Sequence, residues 1–578
     1  MANELDPITA HIGHVLAGHP LFSSLPAPVR DALAAQMGWL VLPGGAQLFD
    51  QGAAADGMYL LIVGRLRATR QLEQGGEREL GDIVPGETIG ETGLIAQAPR
   101  NARVVAIRDS ELLFLPQHGF EQFSRMQPEG MMWLARVALR RSYVGAAPKT
   151  GFSSYVVLPA SMETHAETFA RQLCDVLGRD RPVRLVDASE EQKLSLAEHA
   201  AWEAEGGLIV YLAGHDPAAR RRCLRQSDCA LLVANADRPA ALQSRLALPG
   251  HGARLPLHVV LLQSADSKPG STAEWLQRLP DHLGHHHVRD EHDVARVARR
   301  LTGRATGIVL SGGGARGFAH LGVVRALREA GRAIDYVGGC SIGAIIGAGL
   351  AAGWSDEEMR ERFRRYFVDS NPLSDWTLPL VALRSGSSVS ARLRSAFGTT
   401  DIEDLPLPFF SVCSNLSDGA LEVHEHGTLW RALRASSAIP GVLPPVFSAG
   451  NVLVDGGVID NLPVDEMRKR LAGDIVAVDV GGHYRLEAQV EETELPPWWR
   501  LVGNWFRQRK RPTIAQILLR SGMVNSLATT RRRRRQTQML ITPQLEGIEL
   551  LDWAAFERAE AAGYEHTCAL LEAGAAHD

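Results

Sequence analysis

The chain is poor in the features that mark secreted, membrane-spanning and nucleic-acid-binding proteins. Its 578 residues hold only six cysteines, at positions 174, 223, 229, 340, 413 and 568, and no CxxC pair. Scattered thiols at that density exclude a disulfide framework and fit a reducing compartment. The N-terminal stretch MANELDPITAHIGH places acidic residues early and has no basic segment ahead of an apolar core, so no secretory signal is expected and a cytoplasmic location is. Crossing a bilayer takes about 18 or more apolar residues. One charge-free stretch reaches that length, Tyr336–Trp354, but its six glycines and Cys-Ser pair point to a buried strand, turn and helix. Net charge is −5, which gives a polyanion nothing general to bind, and no nucleic-acid partner is expected.

What is there is a chain too long for one core, with three or four domains expected. Short apolar runs between Trp39 and Leu115, such as Met58–Val63, are punctuated by glycines at 52, 57, 64, 76, 81, 86 and 90, the texture of an all-β roll or barrel. A helical lead-in is expected over 18–35 and a helical segment over 119–142, interrupted near Pro128. From Ser154 to Leu262 the pattern becomes βα alternation, with apolar runs at Tyr155–Leu158, Val183–Val186, Leu208–Leu212, Ala230–Ala234 and Val259–Leu262, which predicts a parallel sheet. A triphosphate-binding loop after the first of these strands would read GxxxxGK[ST]. The sequence there is PASMETH, so no nucleoside triphosphate is expected. The boundaries that follow are a β-roll with flanking helices over 15–143, a linker over 144–152, an α/β intermediate domain over 153–300, an α/β catalytic domain over 305–482 and a mostly helical C-terminal region over 483–578.

Three segments carry chemistry. Ile308–Ser311 is a short strand running into Gly312-Gly313-Gly314-Ala-Arg316-Gly317 and a helix. Consecutive glycines between strand and helix turn the backbone tightly and present N–H groups to an oxyanion or a phosphate. With Asp335 about 20 residues on, this segment alone leaves a dinucleotide site open. The second segment, Asp335–Gly343, ends in Gly339-x-Ser341-x-Gly343 and continues into a small-residue helix. That is the strand-turn-helix context of a nucleophile elbow. In the third, Val452–Gly457, Asp455 ends an apolar strand ahead of two glycines. Alone, Asp-Gly reads as a hairpin turn.

GGGxRG, GxSxG and DGG in this order resemble the patatin-like phospholipase family, and all three motifs match without departure. The resemblance implies a three-layer α/β catalytic domain with a Ser–Asp dyad, Ser341 as nucleophile and Asp455 as its base, and needs no cofactor. Backbone N–H groups of Gly312, Gly313 and Gly314 would hold the oxyanion, and Arg316 would shape or charge-stabilise that loop. A full triad is the alternative. It would draw on His483, His566 or His577 after Asp455, or on His320, His424 or His426, which belong to no motif. An aspartate is a weak base at its ordinary pKa of about 3.9, so the dyad requires Asp455 desolvated and hydrogen-bonded to the serine.

The resemblance narrows further. His285-His-His-Val, the run LTGRATGIVLSGGGARGFAHLG, Ala435–Pro440 and Ala562-Gly-Tyr-Glu resemble the catalytic half of the neuropathy target esterase group, which implies a phospholipid or lysophospholipid substrate. The histidine run has no spaced partner set, and no metal is expected. Gly86–Leu94 followed by Pro99-Arg100-Asn101-Ala102 resembles the phosphate-binding cassette of cyclic-nucleotide sensors. There Glu91 would receive the ribose 2′-hydroxyl and Arg100 would pair with the cyclic phosphate, with Gly90 and Asn101 as their neighbours in the binding cassette. Asn101 stands where serine is usual, and Arg103 where a small hydroxyl residue is often found, so a ligand-free scaffold stays open. Pro496–Arg511 combines three tryptophans, a phenylalanine and five basic residues, the make-up of an interfacial membrane segment or of an ordinary helix packed through its tryptophans. Arg531–Arg535 reads as a solvated helix face. The reading is a lipid-ester hydrolase, with an acyltransferase on the same dyad or a regulatory protein with a vestigial hydrolase domain as rivals.

Overall fold

Alternation of apolar side chains decides the first fold element. Along the strand Gly57–Val63, Met58 and Leu60 join a buried cluster with Leu113, Leu115, Phe22 and Phe123. Tyr59 and Leu61 turn the other way, into a cluster with Leu66, Val104, Ala106 and Leu112. A period of two puts the two sets on opposite faces, so one face packs on helices and the other fills a roll. The computed structural model describes residues 7–72, 76–143, 152–162, 164–191, 196–237, 255–263, 272–279, 282–370, 375–377, 381–481 and 537–575. Its contacts divide the chain into two units, Met1–Leu301 and Thr302–Asp578.

In the first unit, the roll is two four-stranded antiparallel sheets. One orders its strands Gly38–Leu42, Ser110–Pro116, Gly57–Val63, Thr88–Ile89; the other Gln47–Phe49, Arg103–Ala106, Leu66–Gln71, Glu77–Ile83. The expected all-β roll is present. The helical lead-in differs: it is two helices, Pro7–Gly18 and Ala27–Ala34. The earlier one is held by buried Ile12 and Leu16, two apolar positions among histidines and glycines that give little signal by themselves. The following helices, Gln117–Met126 and Pro128–Tyr143, meet at the expected interruption.

The same unit contains a six-stranded parallel sheet in the order Val183–Asp187, Leu208–Leu212, Ser154–Pro159, Cys229–Asn235, Leu257–Leu262, Gly284–Val288. Its central strands are buried except for Asn235 at the end of one, as a parallel sheet covered on both faces demands. The last strand was not foreseen. It is the histidine run, whose pairing with Leu257–Leu262 is a tertiary decision that its polar side chains do not announce.

The second unit is built on a mixed sheet ordered Val446–Ser448, Asn451–Asp455, Phe409–Asn415, Tyr336–Cys340, Ala305–Leu310, Gly473–Val478, Met539–Ile541, with Ala420–His424 also paired to Phe409–Asn415. The stretch that reached membrane-spanning length is strand Tyr336–Cys340 and helix Ile342–Ala351. All ten residues of that helix are buried, as expected of a helix apolar on every side. No helix among the described residues is long and apolar enough to cross a membrane. The C-terminal region, expected to be mostly helical, also supplies a sheet strand, Met539–Ile541, before its helix Phe556–Ala575. Residues 144–151 of the expected linker over 144–152, the aromatic-basic segment 496–511 and Arg531–Arg535 lie outside the described residues.

Within the first unit, the roll is tied to the parallel sheet by buried charge. Asp228, fully buried, stands 3.2 Å from Arg65 Nε and 3.4 Å from Arg108 Nε, and accepts the N–H groups of Ser153 and Ser154 at 2.9 and 3.3 Å. Arg108 also donates twice to Glu203 at 2.7 Å. Removing one member of such a cluster strands the others in a low-dielectric interior. Asp228→Ala is therefore expected to cost about 3–5 kcal/mol, read as a lowered denaturation midpoint of the first unit.

Candidate active site

The turn at Ser341 is strained by design. Ser341 has φ 53° and ψ −124°, a region that side-chain-bearing residues avoid and that persists only where the surroundings over-determine it. The surroundings here are glycines. A Cβ added at Gly343 would lie 2.3 Å from Leu310 O, and one at Gly339 would lie 2.7 Å from Gly343 O, so neither flank of the serine tolerates a side chain. With the strand Tyr336–Cys340 entering and the helix leaving, Ser341 Oγ projects from the bend and donates a 2.6 Å hydrogen bond to Asp455 Oδ2. The two residues are 114 positions apart and meet because strand Phe409–Asn415 pairs with both of their strands.

Asp455 is buried, and its other oxygen accepts Gly457 N–H at 2.8 Å and faces Cys340 Sγ at 3.8 Å. Burial pushes the carboxyl up to about 6, with the bonds from Ser341, Gly457 and Cys340 pulling the other way. A carboxylate in that range accepts a proton far more readily than a solvated one.

The glycine loop comes to the same point. A Cβ on Gly312 would stand 3.1 Å from Ser341 Cβ and 2.6 Å from Asn461 Oδ1. Asn461 grips Gly312 from both sides, donating Nδ2 to Gly312 O at 3.1 Å and accepting Gly312 N–H on its own carbonyl at 3.3 Å. Among the described residues, the N–H groups of Gly313 and Gly314 meet no protein acceptor. Arg316 points elsewhere: its guanidinium donates to the carbonyls of Gly481 and Leu545 at 3.3 and 3.1 Å, which pins the loop and leaves the serine to the glycines. Two supporting residues carried no signal of their own. Ser436 accepts Ser341 N–H on its Oγ at 2.9 Å; it lies within the Ala435–Pro440 run, but nothing there marks that serine. Asn461 lies six residues past Asp455, outside the DGG motif.

The histidine alternatives do not gather at Asp455. His320 is fully buried, pushed down to about 4 chiefly by that burial, and bonded to Ser311 O at 2.9 Å. His424 sits 3.2 Å from Cys413 Sγ, His426 is exposed and His566 is on the C-terminal helix. His483 and His577 lie outside the described residues. Strand alternation sends His286 to the face opposite His285 and His287, so the three do not converge, and His286 bonds His258 at 3.0 Å instead. Potential ligands do cluster at Cys413, Glu422 and His424, whose donor atoms lie within 4.8 Å of one another. They sit on two paired strands, a proximity invisible in the linear spacing.

In the roll, Gly90 (φ 81°) caps the short helix Glu91–Ala96, Glu91 is buried, and Arg100 donates to Gly90 O at 2.9 Å and Gly57 O at 2.8 Å. The Arg100 fork also holds Asp56 Oδ1 at 2.5 Å and lies over the Phe49 ring. Gly90, Glu91 and Arg100 are thus assembled; Asn101 is exposed and contributes only its backbone carbonyl, to Arg70.

Residues 308–468 match the patatin-like phospholipase family. The chain carries a patatin-like phospholipase domain. Residues 39–126 match the cyclic nucleotide-binding domain, and residues 152–306 the P-loop like domain of the neuropathy target esterase family. Patatin-like phospholipase domain-containing protein 6 of Mus musculus is 29% identical over 91% of this chain and 44% of its own length. Lysophospholipase NTE1 of Coccidioides immitis is 29% identical over 91% of this chain and 40% of its own. Neuropathy target esterase sws of Drosophila melanogaster is 27% identical over 91% and 42%. The chain thus spans under half the length of these curated relatives.

Two outcomes follow from the raised Asp455 carboxyl. With Asp455 as the proton acceptor of Ser341, labelling by an alkyl fluorophosphonate is expected to climb with pH and reach half its plateau near pH 6; a plateau already complete at pH 4 would contradict that role. The same shift costs stability. A folded pKa above the ordinary value leaves the contribution intact at low pH and loses it as pH rises through about 6. At neutral pH, Asp455→Asn keeps an acceptor for Gly457 and is expected to gain up to about 3 kcal/mol in denaturant unfolding while slowing labelling.

Proposed function

We propose that this chain hydrolyses the carboxylic esters of phospholipids and lysophospholipids through an acyl-serine intermediate, with Ser341 as nucleophile and Asp455 as base. The observation that carries the reading is the 2.6 Å contact between Ser341 Oγ and Asp455 Oδ2 at a strained turn. Attack by Oγ on the acyl carbonyl forms the new C–O bond while Asp455 takes the hydroxyl proton. The oxyanion that develops is received by Gly313 and Gly314 N–H, donors held in place before the charge appears, with Gly312 and Arg316 positioning the loop. Collapse breaks the ester bond, and the leaving alcohol takes the proton from Asp455. Water then repeats the sequence on the acyl-serine: Asp455 removes its proton, and the acid departs as Oγ is reprotonated. Asp455 handles every proton, so the scheme calls on no cofactor. The lipid substrate class is supported by the names of the patatin-like and lysophospholipase relatives.

We assign the β-roll to 15–143, the intermediate domain to 153–300, the catalytic domain to 305–482 and its completing C-terminal region to 483–578, with peripheral membrane contact through 496–511. The roll is a regulatory site for a cyclic nucleotide, whose phosphate would take the place of the Asp56 carboxylate in the Arg100 fork; Arg suits such bidentate exchange.

A lysophospholipid panel, with and without cyclic AMP or cyclic GMP, tests the reading. Ser341→Ala is expected to lower turnover by about 10⁴-fold or more, and equal turnover by both proteins would remove the nucleophile assignment.

A further inference from the structure

Strand pairing gathers a second set of reactive side chains in the catalytic unit. Cys413, on strand Phe409–Asn415, stands directly opposite Glu422 on strand Ala420–His424, and His424 follows two residues on. Cross-strand partners share a sheet face, as do residues two apart along a strand, so all three side chains lie on one side. Their donor atoms fall within 4.8 Å of one another. We propose that Cys413, Glu422 and His424 bind a zinc ion that clamps strand Ala420–His424 to its neighbour. That outer strand is paired on one side only, and across the ladder Cys413 has Asp455 as its other partner. The ion would therefore brace the strand beside the catalytic carboxylate while taking no part in the ester chemistry.

The distances suit a tetrahedral ion. Zinc bonds of about 2.0–2.3 Å at tetrahedral angles put neighbouring donor atoms about 3.4–3.6 Å apart. Cys413 Sγ lies 3.2 Å from His424 Nε2, and His424 Nε2 lies 3.9 Å from Glu422 Oε1. A small inward swing of the Glu422 carboxylate closes the set. The donor chemistry selects the metal: thiolate, imidazole and a single carboxylate suit zinc, whereas calcium and magnesium take oxygen ligands.

The surroundings fit the same reading. Asn415 Nδ2 donates to Glu422 Oε2 at 3.3 Å, leaving Oε1 toward His424, and a hydrogen bond of this kind orients a ligating carboxylate. Ser411 is an independent sign. It is the ladder partner of His424, fully buried, and its hydroxyl meets no hydrogen-bond partner among the described residues. Buried hydroxyls are ordinarily paired. Three protein ligands leave a tetrahedral ion one open position, and a water there would supply the partner. Cys413 is closed off from solvent, but the side chains of His424 and Glu422 keep 20% and 34% exposure, which gives the ion a way in. Coordination needs the thiolate, so the Cys413 proton passes to solvent as zinc binds.

The test titrates the untagged full chain, first stripped with a chelator, against zinc and cobalt. Competition with a chromogenic chelator is expected to count one zinc in wild type that His424→Ala and Glu422→Ala do not hold. Cobalt should give the intense visible bands of a four-coordinate site and a near-ultraviolet thiolate charge-transfer band, which Cys413→Ser abolishes. Zinc at a hundredfold excess over its dissociation constant should raise the wild-type melting temperature by about 5 °C, and that of His424→Ala by less than half as much. His424 is half-buried on an outer strand, so this variant keeps the test open where a change at the buried cysteine prevents folding; metal-free melts matching wild type establish its fold. Equal zinc stoichiometry in wild type and His424→Ala would overturn the site, as would a cobalt complex without the thiolate band.

Discussion

The second unit is organised around one unfavourable pairing held in place: a serine at φ 53° against a buried carboxylate. Neither is stable alone. The strained turn exists because Gly339 and Gly343 leave room for the strand and helix to close on each other, and because the helix that follows is buried on all sides. The buried carboxylate is tolerated because a hydroxyl, a backbone N–H and a thiol surround it. Each supports the other through the 2.6 Å bond, which the pairing of both their strands with Phe409–Asn415 makes possible. Strain and desolvation of this kind gather where a protein does chemistry.

The charge logic of the first unit runs in the opposite direction. Arg65 and Arg108 enclose Asp228 with Glu203 close by, so burial there is compensated and the roll is fixed to the parallel sheet. Arg100 is equally buried, and its two terminal nitrogens are bonded to Asp56 and two carbonyls. The proposed phosphate would meet the largely exposed Asp56 carboxylate already in that fork.

Much of the architecture was legible because it rests on local periodicity. Glycine-punctuated apolar runs gave the roll, and βα alternation gave the parallel sheet. Features that escaped share one cause. The histidine strand Gly284–Val288, the helix Pro7–Gly18 and the sheet strand Met539–Ile541 have weak patterns and are stabilised by partners distant in sequence. Cys413, Glu422 and His424 form a cluster through strand pairing alone.

At the site, the amino-acid order by itself determined which residues carry reactive groups and in what local setting: a serine between glycines at a strand-to-helix bend, a run of glycines before a helix, an aspartate at a strand end. Each of these is a short-range statement of backbone geometry, and a few neighbouring residues suffice to make it. Only the tertiary structure decided that Asp455 is buried and 2.6 Å from Ser341 Oγ, that Arg316 is spent on two carbonyls, and that Ser436 and Asn461 brace the bend and the loop. Distance and desolvation are properties of packing between distant segments, and no local stretch of sequence contains them.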